Sequence, residues 1–515
     1  MDARATALLL PDGLSAAGAA DRLAALIAVV TQRAHTVDRT FWDSFDGRLH
    51  RAGLALADVG GRLVLMDPAS YAERASDAHP RRARRLLAED LPAGPLRDQV
   101  APLLEMRALT PIARVHSRLL PIDVLDDVGK IVVRLRAEEP AAVSGDGERR
   151  PLRARLHVAG VRGYDGELDR VLAILTADAG LQAATRPVLD DALAALGRPI
   201  GGTSSKLRIE LDPAARADAA AAAILRRLAQ IVDDNMPGTL ADVDSEFLHD
   251  LRVAVRRSRA LQRELRGVFP PEPLRVFRDG FRELQALTGP TRDLDVQLLE
   301  FDELAGALGG NGIDDVEPLR RLLEQRLTLE RERMVAALRS EHTRALLHNW
   351  TDFLDSLPAL PADHRPDAAR PIADVAGERI GTVYRRMVKM GSAIDGDSPH
   401  NALHDLRKKG KELRYLLEFF SSLYPAQVVK PMVSSLKALQ DVLGRFQDRE
   451  VQADVLRALG DDIAAMEGGA AALMAMGVLV ERLGEQQEHA RAEFAASFEQ
   501  FAAKPQRRIV KETFG

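Results

Sequence analysis

The chain has no cysteine among its 515 residues, which excludes disulfides, thiolate metal sites and cysteine nucleophiles and fits a reducing compartment. No apolar run approaches the ~20 residues needed to cross a bilayer. Even the stretch from Ala219 to Ile231 is interrupted by Arg226 and Arg227. The first thirty residues lack a basic start, an apolar core and a small-residue cleavage site, since Asp21 and Arg22 break the run from Ala16 to Val30. The expectation is a cytoplasmic protein without a membrane segment. An overall excess of positive charge is also missing: 71 Lys and Arg against 76 Asp and Glu leave a net charge of -5, so any polyanion site must be a local patch. Aromatic residues make up only 4%.

What remains is 46% hydrophobic and 29% charged, a composition suited to a soluble, largely helical protein with more than one core. Up to about Ile200 the texture is mixed. Short apolar runs at Leu54 to Leu56, Leu63 to Met66, Ile112 to Val115, Ile131 to Leu135 and Arg155 to Val158 read as strands. Helical stretches at Gly166 to Thr176 and Val188 to Leu196 lie between them, giving an α+β domain, and Ala137 to Pro151 reads as a loop. The Gly- and Ser-containing run from Arg198 to Ser205 suggests a linker, followed by a last strand at Lys206 to Leu211 and a boundary near Pro213. Beyond it the apolar period is helical, with Pro213 suited to a first helical turn and Asp244 or Ser245 to an N-cap. The domains expected are therefore 1–212 and 213–505.

The second domain repeats itself. A shift of 155 positions places His249-Asp250-Leu251-Arg252 on His404-Asp405-Leu406-Arg407, Arg256 on Lys411 and Arg259 on Arg414. Without a gap it then places Phe269-Pro270 on Tyr424-Pro425, Leu284-Gln285 on Leu439-Gln440, Gly289 on Gly444, Asp293 on Asp448 and Val296 on Val451. Upstream, Leu225-Arg226-Arg227-Leu228 matches Tyr384-Arg385-Arg386-Met387 with a shift four residues longer. Two units, 213–360 and 366–505, make an all-α bundle of two pseudosymmetric repeats.

At about 100° per helical residue, His249, Arg252, Arg256 and Arg259 share one stripe, and His404, Arg407, Lys411 and Arg414 share its copy. Leu248, Leu251 and Val255 occupy the neighbouring sector and face a core. Arg275, Arg278 and Arg282 form a second basic wall, of which Lys430 and Lys437 are the counterpart. A basic stripe on a soluble helix is most often a solvated face, and a lone His near a helix start is most often a cap or a core residue. Four stripes in two matched repeats argue instead for a polyanion. Guanidinium forks suit phosphate, and a linear phosphate chain suits many distributed cations. Asp293 and Asp448, the only identical residues of the Arg292 to Asp295 and Gln447 to Glu450 segments, are expected to orient these cations rather than to hold a metal.

The His-Asp-Leu-Arg-x-x-x-Arg-Arg-x-Arg motif at His249, with Gly289 to Val296 and the second copy at His404 to Tyr415 and Leu439 to Val451, resembles the CHAD family of conserved-histidine α-helical domains over about Pro213 to Lys504. The resemblance implies a two-halved helical bundle that binds inorganic polyphosphate in a central basic channel and is targeted to polyphosphate granules. Phe41-Trp42-Asp43-Ser44-Phe45-Asp46, with Leu49 and Ala52-Gly53-Leu54, is similar to a segment of the CYTH family, a β-tunnel fold of triphosphatases. That family uses an N-terminal Glu-x-Glu-x-Lys strand whose carboxylates help hold a divalent metal. Here the first strand reads Ala5-Thr6-Ala7-Leu8-Leu9-Leu10, and no glutamate precedes Glu73. A degenerate CYTH-like β-tunnel without catalysis is expected, with Arg62, Arg114, Lys130, Arg134 and Arg136 as its candidate basic positions or as ordinary outward-facing strand residues. The alternative is a metal-dependent triphosphatase or polyphosphatase. RNA or DNA binding ranks last, because the basic stripes carry no aromatic residue apart from Tyr415 nearby. No cofactor is expected.

Overall fold

The computed structural model describes residues 5–80, 83–309 and 312–514. The chain divides into two compact units, Met1–Ser205 and Lys206–Gly515.

The first unit is built on an antiparallel sheet. Its strands run, from one edge, Gln182–Ala183, Ala5–Leu9, Arg155–Gly160, Ile131–Val143, Leu109–Leu125, His35–Ser44, Ala55–Val59, Arg62–Met66 and Glu73–Ala78. The period-2 pattern decides which residues meet. In the strand Ile131–Val143, Val133, Leu135 and Ala137 enter an apolar core with the helices Ala16–Ala24 and Asp165–Ala177, so the alternate Arg134, Arg136 and Glu138 point the other way. The stretch 137–151, expected as a loop, is instead strand to Val143 followed by a hairpin to Arg149–Pro151. Two prolines and two glycines suggested a break, but Pro140 is carried opposite Ser117 inside a long ladder, and only the turn with Gly147 at φ +88° needs the glycine.

The second unit is helical. The helices Ala217–Leu240, Ser245–Glu264, Pro271–Leu287 with Gly289–Leu299, and Glu317–Leu338 are followed by their counterparts Ile372–Gly391, His400–Phe419, Ala426–Ala458 and Gly469–Phe501. Pro290 explains one asymmetry between the repeats. Lacking an N–H, it interrupts the first repeat's helix at Thr288, where the second repeat runs unbroken for 33 residues. Asp244 caps the His249 helix, accepting the Glu246 and Phe247 amides at 3.0 and 3.2 Å.

Two expectations near the boundary fail. Lys206 to Leu211 is not a strand: Leu207, Ile209 and Leu211 rest on the helical core, and the Leu211 amide donates to Ser422 Oγ. Pro213 precedes the first helix rather than opening it. It lies in a turn closed by the Ala215 amide on the Asp212 carbonyl, and the helix starts at Ala217, where the amides of Ala217 and Asp218 donate to the Arg370 and Ala368 carbonyls.

Close helix packing leaves room for hydrogen alone at Gly391, where a Cβ would come within 2.0 Å of the Phe498 ring. Gly391→Ala should therefore destabilise the helical unit by about 1–3 kcal/mol despite alanine's better helix propensity, read as a lowered midpoint in urea.

Candidate functional site: cationic stripes on two repeated helices

The two histidine-bearing helices lie against each other in opposite directions. Arg257 pairs with Glu418 at 2.6 Å and Arg263 with Glu412 at 2.8 Å, so numbers rise along one helix as they fall along the other. Arg379 of the neighbouring helix pairs with Glu264 at 2.7 Å. These inter-repeat pairs lie beside the repeated stripe and clamp the helices together.

The stripe residues His249, Arg252, Arg256 and Arg259, and His404, Arg407, Lys411 and Arg414, are all half-buried. Where the stripes meet, the cations sense one another. Burial, then the charges of Arg407 and Arg256, pushes the Lys411 ammonium down to about 8. Burial together with Arg282, Arg263 and Arg278 likewise lowers the Arg259 guanidinium, which joins the first stripe to the second basic wall. Arg266, Arg275, Arg278 and Arg282 line a cavity of about 380 Å³ there.

Each repeat lays one arginine over its repeated glycine. A Cβ on Gly289 would stand 3.7 Å from Arg252 Nη1, and one on Gly444 3.7 Å from Arg407 Nη2. Their partners differ. Arg252 donates to the Gln285 carbonyl and Thr288 Oγ1 at the helix interruption, at 2.9 and 2.8 Å, whereas Arg407 donates to Asp448 at 3.0 Å. Asp293 acts on Arg252 and Arg292 through its charge. Asp295 does not join Asp293 in a metal site; burial pushes it up to about 6, and it accepts Arg331 at 3.0 Å beside Asp242. His404 is bonded to Gln447, and Arg259 to the Gln285 side chain.

Acids are more numerous on these stripes than the spacing alone suggests. Arg275 pairs with Glu272, Arg282 with Asp279 and Arg414 with Glu418. Among the described residues Arg252, Arg256, Arg259, Arg278, Lys411, Lys430 and Lys437 form no ion pair, the last two on the exposed face of their helix. Arg226 is turned elsewhere, tying its helix to Asp355 at 2.6 Å and to the Leu354 carbonyl. Arg227 lies 4.0 Å from Asp234, Arg385 donates to Thr382, and Arg386 is exposed.

A second polar site, unseen in the sequence, lies within the sheet of the first unit. Glu138, fully buried, accepts Arg39 at 2.8 Å, Ser117 at 2.6 Å and His157 at 2.6 Å. Burial alone would raise the Glu138 carboxyl, but His157 and Arg39 outweigh it and hold it well below the usual carboxylate range. The alternation Arg134-Leu135-Arg136-Ala137-Glu138 was the available signal. Beside this network opens a cavity of about 930 Å³, lined in part by Tyr71, Arg74, Arg134, Arg136 and His157. Of the five basic strand positions, only Arg134 and Arg136 reach it. Arg62 and Arg114 are exposed beside Ser76 and Asp38, and Lys130 sits in a turn. Asp43 accepts the amides of Ser44, Leu49 and His50 and so fixes the corner after its strand. Among the described residues no group of three or more His, Asp or Glu is placed to hold a metal ion.

Residues 222–457 match the family model of the CHAD domain. The helical unit thus carries a CHAD domain, behind an N-terminal antiparallel-sheet domain, and that family is linked to polyphosphate. Two uncharacterized proteins of Mycobacterium tuberculosis, MT2285 and Rv2226, are 27% identical over 219 residues, which is 41% of this chain and 40% of each relative. Among solved structures, the CHAD domain from the plant Ricinus communis aligns at TM-score 0.49 with 23% identity, covering 57% of this chain and 96% of its own. PptA from Streptomyces chartreusis aligns at TM-score 0.43 with 18% identity, covering 55% and 100%. No helix among the described residues is long and apolar enough to cross a membrane.

Proposed function

We propose that the helical unit binds inorganic polyphosphate in the groove where the two stripes meet, without hydrolysing it. The observation that carries this reading is that Arg252, Arg256 and Arg259 of one repeat and Lys411 of the other are half-buried and have no ion-pair partner among the described residues. Like charges held together and half-buried repel until a multivalent anion lies between them. Tyr415, beside Arg414 of the second stripe, is buried with Arg257 and Arg414 over its ring at 5.7 and 5.8 Å, which argues against base stacking as in nucleic-acid binding. Glu138 is committed to Arg39 and His157, which favours a non-catalytic first unit over a metal-dependent triphosphatase. In cells the protein is expected at polyphosphate granules.

Titration of the purified protein with size-fractionated polyphosphate tests this reading. Affinity should rise with chain length and fall more than about tenfold between 50 and 200 mM salt, since several phosphate contacts release counterions. Phosphate release with Mg²⁺ would overturn the non-catalytic assignment, and absence of binding would sink the whole reading.

Affinity should also depend on pH. Lys411 sits near 8 in the empty groove, and a bound anion favours its charged form, so binding takes up a proton. Affinity then falls as pH rises through 8; the groups acting on Lys411 are Arg407, Arg256 and Arg414 and the opposing Asp448. Lys411→Arg should flatten that fall; an unchanged profile would remove Lys411 from the site.

A further inference from the structure

The cavity of about 930 Å³ lies wholly within the first unit and is large enough to enclose a small organic molecule. Its acids are committed and its cations are not. Asp67 accepts the Ser70 amide and hydroxyl at 2.9 and 2.8 Å, Asp123 accepts Gln32 at 2.7 Å, and Glu73 accepts Ser76 and lies 3.6 Å from Arg62. Arg74, Arg134 and Arg136, on the same wall, form no ion pair among the described residues.

Three residues of the wall are fixed against one another. His157 stands opposite Arg136 in the strand ladder, the Tyr71 and His157 rings are 4.9 Å apart, and the Arg136 and Arg39 guanidiniums lie 5.5 and 4.6 Å from the centre of the Tyr71 ring. Tyr71 keeps this place at a φ of +59°, which a bulky side chain rarely adopts; the turn in which its amide donates to the Asp67 carbonyl at 2.9 Å enforces it.

Each of the three keeps a buried polar atom without a hydrogen-bond partner: Tyr71 Oη, Arg136 Nε and His157 Nδ1. Such atoms are costly unless something pairs with them. His157 is only 6% exposed. Its Nε2 meets the Glu138 carboxylate and so carries the proton, and burial favours the neutral ring, which leaves Nδ1 as a lone pair in want of a donor. The wall therefore offers donors in Arg134 and Arg136 and an acceptor in His157. Ionised inorganic phosphates bring acceptors alone, whereas an organic anion that carries hydroxyls brings both.

We propose that this cavity binds a small hydroxylated organic anion without a metal ion. Its carboxylate or phosphate oxygens lie on Arg134 and Arg136, and one hydroxyl bridges Tyr71 Oη and His157 Nδ1, donating to the nitrogen.

Calorimetric titration of the full-length protein in EDTA tests the site with two matched pairs. Citrate is set against tricarballylate, which has the same carboxylates without the hydroxyl, and glucose-6-phosphate against cyclohexylmethyl phosphate, a like frame without hydroxyls. At least one hydroxylated anion should bind, more than about tenfold tighter than its partner, because a buried acceptor is left unpaired by the analogue that lacks the hydroxyl. Which of the two binds assigns carboxylate or phosphate as the charged end. Tyr71→Phe should weaken binding roughly fivefold and Arg136→Gln more than about tenfold, as for a neutral and a charge-assisted hydrogen bond, with thermal melts showing that both variants are folded. Saturating long-chain polyphosphate should leave the ligand in place. No binding of either hydroxylated anion at roughly 10 mM, equal affinity within both pairs, a requirement for Mg²⁺, or full displacement by polyphosphate overturns the proposal. Binding by a protein that fails to take up polyphosphate would uphold this site and discard only the reading of the helical unit.

Discussion

Polyphosphate affinity falls by about 10²-fold or more in the Arg252→Ala/Arg407→Ala protein, because each removed guanidinium withdraws a charge-assisted contact of about 1.5–3 kcal/mol. The measurement is a binding titration at fixed ionic strength beside a thermal melt. The melt is needed because Arg252 also satisfies the Gln285 carbonyl and Thr288 hydroxyl at the helix interruption, and its loss loosens that joint. Lys430→Ala/Lys437→Ala provides the companion: both side chains are exposed and unpaired, so the fold should be untouched while affinity for long chains drops less. A change under threefold in the folded double arginine mutant would return the stripes to solvated helix faces.

The second large effect concerns stability. Glu138→Ala should destabilise the N-terminal unit by about 3–5 kcal/mol, since it leaves the buried Arg39 guanidinium without its counter-charge. His157 loses its partner as well. The same network sets a pH dependence. A carboxylate held below its unfolded value contributes its stability above that unfolded value and loses it as pH falls toward the folded one. Urea midpoints of the wild type should therefore fall on acidification below about pH 4, and the Glu138→Ala protein should show a shallower fall. Equal midpoints for the two proteins at neutral pH would contradict the assigned ion pair.

Periodicity made the architecture legible. The 155-residue shift located both histidine helices, and the short apolar runs located parts of the strands, though not His35–Ser44 nor the end of Ile131–Val143. Partnership was not legible, because ion pairs across a bundle depend on which helices meet and in which direction. Arg257 and Glu418, or Arg263 and Glu412, are unremarkable residues until the helices are laid antiparallel. The same holds in the sheet, where Arg39, Ser117, Glu138 and His157 come from four strands and carry no common motif. Arg226 shows the converse: its double-arginine motif matches the second repeat, yet its side chain serves helix packing.

The duplication of the histidine helix has a consequence for how a ligand can enter. A linear polyphosphate is the same molecule read from either end, and two helices related by a pseudo-twofold axis offer it nearly the same face in either direction. Neither orientation need be discriminated against, so a chain end arriving from either side is productive and the encounter rate gains accordingly. The interruption at Pro290 is where that equivalence stops: one half of the site is backed by a jointed pair of helices and the other by a rod about 50 Å long. A bound chain would therefore be gripped unevenly, held in register by the stiff half and accommodated by the jointed one.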